Sequence, residues 1–245
     1  MKNARVRLHV DQPLGQGQAI AVDGGQAQYL FAVMRLGPGD VVRLFNGRDG
    51  EFAARVEARG KRRGVLVVEK RLRPPALPPD LWLVFAPVKK ARTDMIVEKA
   101  VELGVRRIVP VRTEFTNSER FRRDKQVAHA TEAAEQCGAT HVPEVAEITP
   151  LPRLLDAWPE DRALIFADEA AAHATAHPPE RATSLPPAPA AILIGPEGGF
   201  SAAERARLLE LPMVHRIGLG PRILRAETAA IAALALWQAG PGDWT

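Results

Sequence analysis

The sequence predicts an α/β protein with a parallel sheet, preceded by a small β-barrel domain. From residue 81 onward, short apolar runs typical of strands alternate with helix-favouring segments, which is the pattern of a parallel sheet covered by helices. Before residue 73, short strand-like segments are separated by turn residues instead. Residues 73–79 contain four prolines and should be extended and stiff. We therefore predict a first domain over residues 1–72, a linker over 73–79 and a second domain over 80–245.

The first domain should be built from short strands joined by tight turns. Residues 41–45 form an apolar run that ends at Asn46-Gly47, a strong signal for a β-hairpin. Residues 51–56 follow as the partner strand, and residues 64–69 give a further strand. A short helix followed by a turn is predicted for residues 29–40.

The second domain should begin with alternating strands and helices and end with two strand–loop–helix units. The predicted strands are 81–85, 107–111 and 163–166, and the predicted helices are 94–103 and 122–136. Lys89, Lys90 and Arg92 fall in the predicted loop before the first of these helices. In that helix, Lys99 and Glu102 lie towards the polar side, where they are expected to face solvent.

The first of the two C-terminal units carries a loop rich in Gly and Pro. Residues 192–194 form an apolar run with β-branched members, as expected for a strand buried on both faces. Glycines in the loop that follows allow positive φ and a close approach of the backbone to a ligand. Ser201 and Glu204 have capping-box spacing, which predicts a helix beginning near Ala202. The loop is either a tight connection or a ribose- or adenine-binding site, since the fingerprints for a dinucleotide or a nucleoside triphosphate are absent.

The second unit places three charged residues just before a buried helix. Arg222, Arg225 and Glu227 precede an Ala/Leu-rich run that ends at Trp237, and this run should form a helix buried in a core or in a subunit contact. Arg225 and Glu227 either form an internal ion pair that holds the loop, or they orient a substrate and stabilise charge in a transition state.

The composition narrows the choice of partners and cofactors. With 245 residues, a formal net charge of +4 and a pI of about 9.6, the chain suits a polyanionic partner such as nucleic acid, although a solvated basic surface would give the same pattern. The single cysteine, Cys137, excludes an internal disulfide, and we expect it to be buried as a small hydrophobe. No metal site is predicted. We find no signal peptide and no membrane span, so a cytoplasmic location is expected.

The two C-terminal units resemble the signature of the RsmE family, ribosomal RNA small subunit methyltransferases of the SPOUT superfamily. The segments that carry the resemblance are Leu193-Ile194-Gly195-Pro196-Glu197-Gly198-Gly199-Phe200-Ser201 with Glu204, and Leu219-Gly220-Pro221-Arg222-Ile223-Leu224-Arg225 with Glu227-Thr228-Ala229. The resemblance implies methylation of N3 of a uridine in 16S ribosomal RNA, with S-adenosylmethionine (SAM) as the cofactor. It further implies a PUA-like N-terminal domain, a C-terminal trefoil knot and a homodimer. Tyr29 stands where many family members have histidine.

The resemblance also assigns site residues in this sequence. Cofactor contacts are expected from Leu193, Ile194, Gly195, Glu197, Gly199, Ile217, Gly218, Leu219, Leu224, Thr228 and Ala229. Arg222, Arg225 and Glu227 are the expected catalytic residues: either arginine would stabilise the developing uridinate, while Glu227 would remove the N3 proton or orient an arginine. Separately from the resemblance, the basic residues expected to contact RNA, on their charge and position, are Arg5, Arg7, Arg35, Lys89, Lys90 and Arg92. A Gly199→Val change is expected to block cofactor binding by placing a Cβ in the pocket.

Two alternatives remain at this point. A non-catalytic RNA-binding assembly protein would have basic patches but a damaged pocket, whereas both motifs are complete here. Another SPOUT methyltransferase would carry the same motifs but make a different product, a ribose methyl or N1-methylguanosine instead of N3-methyluridine.

Overall fold

The structure is a computed structural model that describes residues 6–117, 121–170 and 185–244. It divides into two compact units. One contains the described residues up to Leu77 together with Ala134–Val142, and the other contains Pro78–Ala133 and the described residues from Pro143 onward. The grouping of Ala134–Val142 with the N-terminal residues is a feature that the linear domain prediction does not include. The boundaries predicted from the sequence stay a prediction.

The first unit contains a curled, half-barrel sheet of five strands. The strands are β1 (Arg7–His9), β2 (Ala19–Asp23), β3 (Val41–Phe45), β4 (Glu51–Arg59) and β5 (Arg63–Arg73), in the order β1-β3-β4-β5-β2. Only the β1–β3 pair is parallel. Helix α1 (Gly24–Gln28) and a π-helical turn (Tyr29–Val33) follow β2. The predicted hairpin is confirmed: β3 pairs antiparallel with β4, and the Asn46 side chain accepts hydrogen bonds from the backbone of Arg48 and Asp49.

A buried carboxylate holds three arginines in this unit. The Glu51 side chain is completely buried and accepts hydrogen bonds from Nε of Arg7 at 2.6 Å and Nε of Arg73 at 2.9 Å, with Arg43 at 3.9 Å. Arg7 is itself buried and also donates to the carbonyl of Ala139. The prediction that Arg7 contacts RNA is therefore wrong, because its guanidinium is used inside the unit.

The second unit contains a seven-stranded sheet in which every pairing between the described strands is parallel. The strand order is β12-β10-β11-β6-β7-β8, and β9 pairs with β7. The strands are β6 (Leu81–Phe85), β7 (Arg107–Arg112), β8 (Glu144–Val145), β9 (Thr149–Pro150), β10 (Ala163–Ala167), β11 (Ala190–Ile194) and β12 (Val214–Ile217). The helices are α2 (Lys90–Glu102), α3 (Arg123–Cys137), α4 (Leu151–Asp156), α5 (Ala202–Glu210) and α6 (Ala226–Ala239). The last four residues of α3 are grouped with the first unit. The predicted parallel α/β layer is confirmed, while the trefoil knot stays a prediction.

The central strand and the last helix position the site. All five residues of β11 are buried between β10 and β6, as the apolar run predicts. Helix α6 packs against β11 and α2, and Trp237 is fully buried with its indole N–H bonded to the carbonyl of Pro186. The capping box at the start of α5 is present in both directions, so the predicted helix start at Ala202 is confirmed.

Two details of the helices differ from the sequence predictions. Helix α2 begins at Lys90, four residues earlier than expected, because Thr93 Oγ1 bonds both the N–H and the carbonyl of Val88 and closes the first turn. Cys137 ends helix α3 before Gly138, as predicted, but its side chain is exposed and not buried. Within the described residues, none of the helices is long and apolar enough to cross a membrane.

Candidate active site

A cavity of about 330 Å³ lies at the carboxyl ends of strands β10 and β11, beside the loop that follows β12. In open parallel sheets this edge is where ligands bind. Two loops form much of the wall: the first motif loop, residues 195–200, and the second motif loop, residues 218–225. The wall consists of Arg92, Ala167, Asp168, Glu169, Ile194, Gly195, Pro196, Glu197, Leu219, Gly220, Arg222, Ile223, Leu224, Arg225, Ala226 and Ala229. The two segments that the sequence singled out therefore share one pocket.

Most of the predicted site residues meet at this wall. Ile194, Gly195, Glu197, Leu219, Leu224, Ala229, Arg222 and Arg225 all line it. Leu193 and Ile217 are fully buried near the carboxyl ends of β11 and β12 and are not among the residues that line the cavity. Gly218 adjoins Leu219, and Thr228 is exposed on α6. Direct contact of these four residues with a ligand stays a prediction.

Packing against neighbouring side chains explains two of the motif glycines. A Cβ on Gly195 would come within 2.6 Å of the Phe200 ring, which packs edge-on against Phe166. Gly199 has φ +68°, and its added Cβ would lie 1.7 Å from Oε1 of Glu169. A side chain at Gly199 would therefore meet Glu169 first, which corrects the expectation that it would project directly into the pocket.

A buried carboxylate fixes the end of β10. Oδ2 of Asp168 accepts hydrogen bonds from Arg216 Nε at 2.7 Å and from Arg205 at 2.9 and 3.1 Å, while Oδ1 accepts from the N–H of Ala170. Burial alone would raise the pKa of Asp168, but the bonds from Arg205 and Arg216 outweigh that effect and hold the pKa below its usual range. Asp168, Arg205 and Arg216 thus form a clamp that joins β10, α5 and β12 beneath the cavity.

Glu169 stands next to this clamp, but no cation pairs with it among the described residues. Its side chain lines the cavity and rests against Gly199. Partial burial, with a further contribution from the negative charge of Asp168, raises the pKa of Glu169. An unpaired carboxylate at a ligand cavity is suited to a positively charged or hydrogen-bond-donating group.

Arg92 is held at the cavity wall by two carboxylates. Its guanidinium pairs with Glu197 of the first motif loop, and Nε lies 3.5 Å from Oε1 of Glu227 on α6. Oε2 of Glu227 is buried without a hydrogen-bond partner. Glu227 therefore pairs with Arg92. The structure describes both Arg225 and Glu227, and the ion pair between them, one of the two interpretations of the sequence, does not form.

Arg222 and Arg225 are exposed at the wall, and among the described residues neither pairs with a carboxylate. Arg225 is the N-terminal cap residue of α6, but its side chain makes no capping hydrogen bond. Both guanidiniums are thus available to an anionic or electron-rich ligand.

The remaining basic residues predicted to contact RNA lie in several places. Arg35 is exposed in a turn with φ +57° in the first unit. Lys89 and Lys90 are exposed at the start of α2, and Arg5 lies outside the described residues. The adjacent ammonium of Lys125 lowers the pKa of Lys90, so two like charges stand together on this surface.

Asp168, Glu169, Arg205 and Arg216 were not among the site residues predicted from the sequence. Asp168 and Glu169 directly follow the predicted strand 163–166, and carboxylates at the carboxyl end of a parallel strand are a signal that could have identified them. Arg205 and Arg216 carry no such signal, since their bonds to Asp168 join residues 37 and 48 positions apart in the sequence. Arg92 was predicted to contact RNA, but it lines the cavity. In the described parts of the chain, no group of three or more His, Cys, Asp or Glu side chains is arranged to hold a metal ion.

Comparison with known proteins gives the family. Residues 75–238 match the model of an RNA methyltransferase domain, and residues 22–69 match that of an RNA methyltransferase PUA domain. The chain belongs to the RsmE family of RNA methyltransferases. Both motif loops and the whole cavity wall lie inside the first matched region.

RsmE-family relatives match nearly the whole chain. The ribosomal RNA small subunit methyltransferases E of Rickettsia conorii and Bacillus subtilis are each 28% identical; the first alignment covers 94% of this chain and 93% of the relative, and the second 91% of both. The Neisseria gonorrhoeae enzyme of the same name, solved with bound SAM, is 28% identical with a TM-score of 0.83, covering 98% of this chain and 99% of that one. A Legionella pneumophila protein solved with the cofactor SAM is 31% identical with a TM-score of 0.84, covering 97% and 98%.

Proposed function

We propose that this protein uses SAM to methylate N3 of a uridine in the 16S RNA of the small ribosomal subunit. The observation that carries the proposal is the single cavity formed by both motif loops, with the unpaired Arg222 and Arg225 in its wall. The names of the relatives and the SAM-bound structures support the substrate class and the cofactor.

The cavity residues fit SAM chemically. The volume of about 330 Å³ lies within the usual range of small-molecule sites. Apolar Leu219, Ile223 and Leu224 offer a surface for an adenine ring, and the backbone of Gly195 lies in the same wall. When bound, SAM supplies an electrophilic methyl group on a positively charged sulfur.

The residues of the chain would serve to position the uridine and to stabilise charge. N3 of uridine must lose its proton as it attacks the methyl carbon, and the negative charge that develops spreads to O2 and O4. Arg222 or Arg225 would stabilise that charge from a fixed position. None of the described wall residues is a cysteine, serine or threonine, and direct transfer requires no covalent enzyme intermediate.

Glu227 is better placed to orient Arg92 than to accept the N3 proton. It contacts Arg92 but does not itself line the cavity. This arrangement supports the second of the two roles expected for Glu227. Arg92 would then be a third cation at the site, with its position set by Glu197 and Glu227.

For RNA binding we propose the exposed basic surface at the start of helices α2 and α3. Lys89, Lys90, Lys125 and Arg122 lie there, and the like-charge contact between Lys90 and Lys125 would be relieved by a phosphate. Arg35 is a separate candidate in the first unit. We also propose a homodimer, supported by Leu236, an apolar side chain that is exposed on helix α6.

A methylation assay followed by nucleoside mass spectrometry tests the function. The protein is incubated with SAM carrying a labelled methyl group and either small ribosomal subunits or free 16S RNA that lack the modification. We expect labelled 3-methyluridine. A ribose methyl or N1-methylguanosine would indicate another specificity of the same superfamily. RNA binding without SAM binding or any methylated product would support a non-catalytic role and refute the proposal.

A further inference from the structure

The charged side chains of the cavity fall into two groups, paired and unpaired. Arg92 pairs with carboxylates on two other elements, and Asp168 pairs with two arginines. Within the described residues, the charged wall residues left without a partner of opposite sign are Arg222, Arg225 and Glu169. The unpaired charges of the described wall are therefore two cations on the second motif loop and one carboxylate just after β10.

The position of Glu169 depends on both of its neighbours. Asp168 is fixed by bonds to Arg205 and Arg216, so the backbone that carries Glu169 is held in place. On the opposite side, Oε1 of Glu169 occupies the space where a Cβ of residue 199 would stand. Gly199 also has φ +68°, which favours glycine. Because residue 199 is glycine and has no side chain, the Glu169 carboxylate has room to lie at the cavity.

We infer that Glu169 binds a cationic group of the cofactor, the ammonium or the sulfonium of SAM, and that Gly199 makes this possible by leaving room for the carboxylate. The inference rests on the proposed function, because it takes SAM as the ligand. It gives Gly199 an indirect role, in which it acts through Glu169.

Charge complementarity is the physical reason for this assignment. The amino-acid end of SAM carries a carboxylate and an ammonium, and a sulfonium lies three bonds further along. The free arginines of the wall suit the carboxylate, and Glu169 is the only unpaired acid among the described wall residues. A carboxylate that is partly withdrawn from water gains more from a cation than a fully solvated one does.

Calorimetric titration of the full-length protein with three ligands tests the inference. SAM carries both cationic groups, S-adenosylhomocysteine only the ammonium, and 5′-methylthioadenosine neither. For Glu169→Gln we expect a SAM dissociation constant raised by about tenfold, as for a lost charge-assisted hydrogen bond, and no change for 5′-methylthioadenosine. The response to S-adenosylhomocysteine identifies the group: weakened binding indicates the ammonium, and unchanged binding the sulfonium. Glu160→Gln, an exposed change outside the wall, is the matched control.

A double-mutant cycle tests the role of Gly199. In Gly199→Ala the new Cβ must displace the flexible end of Glu169, so this variant should also weaken SAM binding by about tenfold. The double variant should then bind no more weakly than Glu169→Gln alone, because both changes remove one interaction. Thermal unfolding confirms that each variant is folded at the titration temperature.

The outcomes separate this inference from the proposed function. If the wild type does not bind SAM, the proposed function fails and the inference fails with it. If the wild type binds SAM, but Glu169→Gln binds all three ligands like the wild type or weakens all three equally, only the inference is overturned. Additive losses in the double variant would likewise refute the indirect role of Gly199.

Discussion

Replacing Asp168 with asparagine tests whether the clamp beneath the cavity stabilises the second unit. Asparagine has nearly the same size, but it carries no charge and has one acceptor oxygen instead of two. If that oxygen keeps the place of Oδ2, the amide nitrogen replaces Oδ1 and faces the N–H of Ala170, which is 3.1 Å from Oδ1. Two donors would then oppose each other, and the bonds from Arg205 and Arg216 would no longer be charge-assisted.

The loss in stability follows from these bonds. A hydrogen bond to a charged group contributes about 1.5–3 kcal/mol and a neutral one about 1, so weakening the three bonds from Arg205 and Arg216 by about 1 kcal/mol each gives a loss of about 3 kcal/mol. For a chain of this length each kcal/mol corresponds to about 2–4 °C, so the unfolding midpoint should fall by about 6–12 °C. Urea unfolding followed by circular dichroism measures the same loss in free energy.

Asp156→Asn is the matched control for this prediction. Asp156 also pairs with an arginine, Arg207, but its side chain is 69% exposed. A pair this exposed contributes at most about 1 kcal/mol and often nothing measurable. Equal, small losses for Asp168→Asn and Asp156→Asn would show that the clamp contributes no more than a surface ion pair, and the reasoning would be refuted.

Three further predictions concern other charged residues. Burial would raise the pKa of Glu51, but the bonds from Arg73 and Arg7 outweigh it and lower the pKa. The contribution of ionised Glu51 to the free energy of unfolding should therefore be complete above the ordinary carboxyl pKa of 4.5 and should be lost as the pH falls through the lower folded value. Urea unfolding at a series of pH values measures this pH dependence, which should be absent in Glu51→Gln. Lys90→Met should reduce the slope of log K against log salt concentration for RNA binding by about 0.7–0.9. The control Lys99→Met, which removes the partner of Glu102, should leave the slope unchanged. Equal slopes for both variants would contradict the proposed surface. Arg225→Ala should slow single-turnover methyl transfer, measured at saturating SAM, by about 100-fold or more, and a wild-type rate would remove Arg225 from the catalytic group.

Local patterns were sufficient to predict most of the fold. The buried strand β11, the hairpin at Asn46-Gly47 and the capping box at Ser201 each follow from residues close together in the sequence. The return of Ala134–Val142 to the first unit could not be predicted in this way. It involves Arg7, whose partner carbonyls lie more than 120 positions further along the chain, and also Arg73, which donates to the carbonyl of Gly138.

In the site, too, the features that depend on neighbouring residues were predicted, and the contacts between distant residues were not. The motif loops were identified because glycine, proline and charged residues stand close together in each of them. The pairing of Arg92 with Glu197 and Glu227 joins residues about a hundred positions or more apart, and no local pattern predicts which carboxylate a surface arginine will contact. Arg92 was therefore placed with the RNA-binding residues, on its charge and its place in the predicted loop before α2, although it lines the cavity.

The sequence pattern located the motif glycines correctly at the cavity, but it did not give the reason why glycine is needed at each position. Positive φ and open space near a ligand would each account for Gly195 and Gly199 from the sequence. In the structure the first leaves room for the Phe200 ring and the second for the Glu169 carboxylate. A substitution at either position would thus act first on a neighbouring side chain and only through it on the cavity. For Gly195 that neighbour belongs to the core, so Gly195→Ala should lower stability. For Gly199 the neighbour is a charged wall residue, so the larger effect of Gly199→Ala should fall on ligand affinity.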